Sequence, residues 1–135
     1  MSKAEQNRQL IMDYFDAWAR GDVKTGESYW AEDLQTFQAG HSRLAGWFRG
    51  PKDLDARWVQ PLLQMTNNRW TVTAKPEVIL SGDDGVVIIA SESMVRDGKG
   101  RMDTKKLVVY TISNNKITSC RMYDGDQGAI DDFWS

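Results

Sequence analysis

Apolar residues recur at helical spacing only in the first half of the chain. Ile11, Tyr14, Phe15 and Trp18 step along one face, and Leu10 and Ala17 widen that stripe. Ahead of them Ser2-Lys3-Ala4-Glu5 fits a capping box, in which Ser and Glu satisfy free N–H groups reciprocally. Gly21 stops this helix and Asp22 is placed to cap a second, over Val23 to Trp30; it carries Gly26 and must draw its stability from packing. "LQTFQAG" then reads as a brief strand, and "GHSRLAGWFRGPKDL" as a glycine-punctuated loop that ends at Pro51. Proline is tolerated in a first helical turn, so a third helix starts there, with Leu54, Trp58, Leu62 and Met65 on one face and a kink or split at Pro61.

From residue 69 the period falls to two. "WTVTAKPEVIL", "GVVIIASESMV", "KKLVVYTIS" and "KITSCRMYD" are β-rich runs. Turn signals at Gly82-Asp83-Asp84-Gly85, Asp97-Gly98 and Asn114-Asn115 separate them and predict an antiparallel meander. Helices first and strands afterwards argue one α+β domain over residues 1–135, with the helices packed on one face of the sheet. At the end Ile130, Phe133 and Trp134 share a helical face, so the acidic tail docks on the body; Asp126 caps it, and Asp131 and Asp132 face water.

Composition narrows the partners. The chain is 41% hydrophobic and 27% charged with a net charge of −2, as for a globular protein. No apolar run approaches the about 18 residues of a membrane span, and the N-terminus lacks the apolar stretch of a secretory signal. With Cys120 as the single cysteine there is no internal disulfide, which points to a reducing cytoplasm. "RDGKGRMDTKK" alternates bases with acids and reads as a solvated hairpin, so neither nucleic acid nor membrane is an expected partner.

Counting removes several chemistries. One His and one Cys cannot assemble a His/Cys zinc site, and neither GxxxxGK[ST] nor GxGxxG is present to cradle phosphates. "GDDG" lacks the later carboxylates of a calcium loop and reads as a turn. Neither a metal nor a cofactor is therefore expected. Carboxylates and phenols remain: Glu92 and Asp124 for proton transfer, and Tyr14, Tyr110 and Tyr123 as donors to a developing oxyanion. His41, in a Gly/Ser loop, is the residue type that suits an acid or base at a pocket mouth.

Three stretches carry a resemblance. "YFDAWARGDVKTGESYWAED" resembles the opening helix pair of SnoaL-like and ketosteroid-isomerase-like proteins of the nuclear transport factor 2-like superfamily. "HSRLAGWFRGPKDL" resembles their loop into the third helix, and "NNKITSCRMYDGDQGAIDDFWS" their last strand and ending. The resemblance implies a cone in which three N-terminal-half helices close over a strongly curved antiparallel sheet around an apolar pocket, with dimers formed through the sheet. Tyr14 falls where ketosteroid isomerases keep their oxyanion-binding tyrosine, but their general base falls on Gln38 and their second acid near Val108. The aspartate that limonene-epoxide hydrolases keep in the final strand falls near Met122, and "Arg101-Met102-Asp103" echoes their Arg-x-Asp one strand late. In the family's register Cys120, Met122 and Asp124 share the pocket-facing side, which leaves Asp124 as a carboxylate at the pocket's edge.

The implied pocket holds Trp18, Trp30, Phe37, Gln38, Trp47, Trp58, Glu92, Met94, Val108, Tyr110, Cys120 and Met122. Tyr14, Asp124 and His41 are the candidate catalytic residues. The resemblance implies a hydrophobic, oxygenated ring compound as ligand and cofactor-free acid–base chemistry of isomerase, cyclase, dehydratase or hydrolase type. A non-catalytic binding module and a protein-interaction homodimer are the alternatives.

Overall fold

A computed structural model describes all 135 residues. Helix α1 (Lys3–Ala19) starts as its sequence dictates: Ser2 Oγ accepts from Glu5 N–H at 3.1 Å and donates to the Glu5 carboxylate at 3.1 Å. It buries Leu10, Ile11, Tyr14, Phe15 and Ala17. Gly21 then turns the chain at φ +72°, a left-handed conformation that glycine adopts without strain. Helix α2 (Val23–Glu27) follows, capped by Asp22, which accepts from Thr25 N–H at 3.1 Å. Gly26 is required by packing, since a Cβ there would lie 2.6 Å from the Trp18 ring.

Helix α2 is shorter than its sequence suggests. Trp30 opens strand β1 (Trp30–Gln38) instead of closing the helix, and the glycine-rich loop contains a strand of its own, β2 (Gly46–Arg49). Helix α3 (Gly50–Leu54), a π-helical turn (Asp55–Val59) and helix α4 (Gln60–Met65) form one continuous helical stretch. Its irregularity precedes Pro61: the Gln60 N–H reaches back five residues to the Asp55 carbonyl. An inserted π turn is one of the few physical causes of helix distortion.

The run "WTVTAKPEVIL" divides into β3 (Trp70–Val72) and β4 (Glu77–Ser81), both antiparallel to β5 (Gly85–Arg96). Pro76 lies in the gap and cannot donate to a ladder. Strands β6 (Gly100–Ser113) and β7 (Lys116–Asp124) complete the expected meander. Asn114 and Asn115 both take positive φ in the tight turn between them, a conformation asparagine tolerates.

The sheet order is β2-β1-β7-β6-β5-β3 with β4 also on β5, and it corrects the all-antiparallel expectation in one place: β1 pairs with β7 in parallel. Strand β1 follows the helices rather than a hairpin, so it reaches the free edge of β7 by a long connection. The helices lie on one face, and Phe48, Leu54, Ile88, Val108 and Ile117 fill the interior with α1. Helix α5 (Gln127–Phe133), capped by Asp126, buries Ile130, Phe133 and Trp134 in a smaller cluster with Leu44, Leu62 and Met94. No helix is long and apolar enough to cross a membrane.

Candidate ligand site

Between the helices and the inner face of the sheet lies a cavity in which the centre of a water-sized sphere can range over about 60 Å3. α1 contributes Tyr14, Phe15 and Trp18, the third helical stretch contributes Leu54, Trp58, Val59, Leu62 and Leu63, and the strands contribute the remaining wall. Of its 16 lining residues 13 are hydrophobic. Tyr14 sits deep, where its hydroxyl accepts from Trp30 Nε1–H at 3.0 Å. Burial holds the Tyr14 and Tyr110 phenols well above their ordinary value, and pushes the Cys120 thiol up to about 12. These groups are neutral hydrogen-bonding walls, and Cys120 is no nucleophile.

One wall breaks the apolar rule. Lys106 Nζ lies 3.0 Å from Glu92 Oε2, with side chains only 7% and 6% exposed, and the other Glu92 oxygen accepts from Trp70 Nε1–H at 3.2 Å. Strand register makes this pair: Lys106 faces Ala90 on β5, so Glu92 is its diagonal neighbour on the same face. Burial alone would push the Lys106 amine down, but the charges of Glu92 and Asp124 and the hydrogen bond to Glu92 outweigh it, so the ammonium is favoured. It also lies 5.2 Å from the centre of the Trp58 ring. In the walls, Trp18 Nε1, Trp58 Nε1 and Thr36 Oγ1 are sealed from water without a hydrogen-bond partner.

A second, smaller cavity of about 20 Å3 also borders the ion pair and is lined in part by α5. It shares Trp58, Leu62, Glu92 and Lys106 with the first and adds Gln38, Ser42, Leu44, Met94, Asp124, Ile130 and Trp134. Asp124 accepts from Gln38 Nε2–H at 2.9 Å. Burial raises its carboxyl above the ordinary value, against the lowering effects of Lys106 and the Gln38 hydrogen bond.

The structure thus distributes the residues singled out from the sequence. Tyr14, Trp18, Trp30, Trp58, Glu92, Tyr110, Cys120 and Met122 line the larger cavity; Gln38, Met94 and Asp124 line the smaller. Val108 belongs to the solid core below. Three residues lie elsewhere. Phe37 and Trp47 are on the outer face of the sheet, packed against one another with ring centres 5.0 Å apart, because strand alternation that turns Thr36, Gln38 and Phe48 inward turns their neighbours out. His41 is exposed in the β1–β2 connection, where its backbone N–H is held by Asp131 at 3.1 Å. Asp131 is thereby half-buried rather than water-facing.

Lys106 is inconspicuous in the sequence because it ends a charged run that reads as a solvated hairpin. The signal that finds it is period two: in "KKLVVYTIS" Lys106, Val108 and Tyr110 fall on one face. Glu27, also overlooked, has one carboxyl oxygen sealed from water. Burial, then the hydrogen bond and charge of Asp55 in the π turn, push its carboxyl up to about 8.

No protein-family model matches the chain. An uncharacterised protein of Mycobacterium tuberculosis (strain ATCC 25618 / H37Rv) is 29% identical over 126 residues, 93% of this chain and 94% of that protein. The solved structure of Bal32a, from a soil-derived mobile gene cassette, is 26% identical with a TM-score of 0.85, covering 99% of this chain and 100% of its own. A nuclear transport factor 2-like protein of Burkholderia xenovorans LB400 is 25% identical with a TM-score of 0.75 over 97% of each chain. A protein of Mesorhizobium loti described as a SnoaL-like polyketide cyclase is 19% identical with a TM-score of 0.67, over 86% of this chain and 97% of its own. The fold of this chain, with its curved sheet closed over by helices, is that of the nuclear transport factor 2-like superfamily.

Proposed function

We propose that this protein binds a small, largely apolar, oxygenated ring compound in the larger cavity and acts on it by acid–base chemistry carried by its own side chains. The observation that supports this reading is the buried Lys106–Glu92 pair in the wall of an otherwise apolar cavity. Such a pair contributes little to stability compared with apolar residues of the same volume, so a recognition role accounts for its presence better than a folding role. The Lys106 ammonium would hold a ligand oxygen, with the Tyr14 hydroxyl as a second donor. Glu92, which faces the larger cavity, is better placed than Asp124 to take a proton from the ligand. The cyclase description of the Mesorhizobium loti neighbour is compatible with this chemistry.

The test is thermal stability and tryptophan fluorescence against steroids, terpenoids and aromatic polyketides. A ligand at one hundred times its dissociation constant should stabilise the fold by roughly 2.7 kcal/mol. The gain should disappear in Trp58→Ala, and silence across the whole panel would remove the reading. We further propose that two copies associate through the outer face, where Phe37 packs against Trp47 and Tyr123 beside exposed Leu107. The assembly would work in the cytoplasm, where the buried thiol of Cys120 needs no partner.

A further inference from the structure

The smaller cavity has a polarity the larger one lacks. Its inner wall is the Glu92–Lys106 pair, and its outer residues, Ser42 and Asp124, are half-exposed. The smaller cavity therefore brings half-exposed Ser42 and Asp124 together with the ion pair that also lines the apolar cavity. Gln38 fixes one Asp124 oxygen at 2.9 Å and also donates to the Ala39 carbonyl at 3.1 Å, so the amide holds the carboxyl in place. Leu44, Leu62, Met94, Ile130 and Trp134 complete its lining. About 20 Å3 exceeds the roughly 10–15 Å3 needed to seat one water, and Asp124, Gln38, Lys106, Glu92 and Ser42 supply more than the about three partners such a water uses.

We propose that the smaller cavity is a water site and a proton port, through which Asp124 connects the Glu92–Lys106 pair to solvent without passing through the ligand cavity. The proposal rests on the reading of Glu92 as the group that exchanges a proton with the ligand. A proton taken up by Glu92 at the front passes to the water behind it. The water gives one of its own protons to the Asp124 carboxylate, which releases it to solvent; Lys106, whose Nζ protons can leave and return by the same route through Glu92, is an ammonium at the start and end of each transfer. Asp124 is then a positioning residue that resets the pair between events, and a ligand can stay sealed in the front cavity while the proton leaves by the back. The charged groups facing Asp124 are Lys106 from β6, Glu92 from β5 and Asp131 from α5; the first favours its ionisation and the other two oppose it.

The Lys106 Nζ protons report directly on this port and need no ligand. Their exchange with solvent can be followed by NMR on 15N-labelled protein. Asp124→Asn removes the acceptor, and Ser42→Val fills the cavity mouth. Each should slow the exchange by about a hundredfold, the lower end of what a positioned proton-transfer group supplies, and rates within about threefold of wild type in both overturn the port. A merely structural role moves the rate the other way, because loosening the fold speeds exchange. If Ser42→Val does not fold, the Asp124→Asn rate decides. Adding 1-naphthol then separates the two readings. Exchange that persists with naphthol bound in the larger cavity supports the port, and exchange that stops shows that protons travel by the ligand's own mouth, overturning it. Failure of naphthol and the wider panel to bind counts against the ligand reading, while the variant rates still decide the port.

Discussion

The two ends of the sheet follow opposite rules. At the end where β6 turns into β7, Val86, Ile88, Val108, Ile112 and Ile117 point inward, and Thr111, Thr118 and Ser119 form a hydroxyl ladder outside, at 2.6–2.8 Å. At the other end β1, β5 and β6 carry Gln38, Glu92 and Lys106 inside, with Asp124 of β7 half-buried at the rim, while Phe37, Trp47, Leu107 and Tyr123 lie outside. The β5–β6 pairing runs without a register break from one end to the other. What differs is the inner face, where the buried charges mark the place at which the molecule gives up folding free energy.

The sharpest way to break the comparison is to remove one charge from the charged end. Lys106→Met should destabilise the fold by ~3–5 kcal/mol in denaturant unfolding, because Glu92 is left buried and unpaired. The double variant Lys106→Met/Glu92→Leu should recover most of that loss and still fail to bind ligand. If the double variant is as unstable as the single, the pair serves the fold and the contrast between the ends collapses. At the conventional end Ile88→Ala should cost ~2–5 kcal/mol through the cavity it leaves. Ligand affinity there should stay within about threefold, since Ile88 lines neither cavity.

A subtler probe is pH. Asp124 is raised in the folded state, so its contribution to stability is complete below its ordinary value of 3.8 and is lost as pH rises through the folded value. Glu27 has the same sign: its contribution is present below 4.5 and is lost as pH rises to about 8. Stability measured between pH 4 and pH 8 should fall with this slope. Glu27→Gln should flatten the upper part of the window and Asp124→Asn the lower part, whereas Thr111→Val, at the conventional end, should leave the slope unchanged. The smallest effect on the monomer is expected outside. Tyr123→Lys should change unfolding free energy by less than about 0.5 kcal/mol, yet shift sedimentation from dimer to monomer. A variant that still sediments as the wild type does would remove the outer face from the assembly.

Much of this was legible from local pattern. The Ser2–Glu5 capping box, the Asp22 and Asp126 caps, the buried stripe of α1, the paired asparagines after β6 and the docked tail all follow from interactions within a few residues. Period two also contained more than was taken from it. It separates Phe37 from Gln38 and joins Lys106 to Val108 and Tyr110, so the composition of the inner face was available in principle.

What only the tertiary structure decided is long-range. Nothing local says that β1 lies parallel to β7, that the glycine-rich connection pairs as β2, or that a π turn sets Asp55 beside Glu27. Nor does it say that Lys106 meets Glu92 where the pair lines two cavities. A charged residue at the end of a strand is equally at home in water. Its partner sits on a neighbouring strand, in a register that exists only once the sheet has closed, and only there does burial turn two ordinary charges into a site.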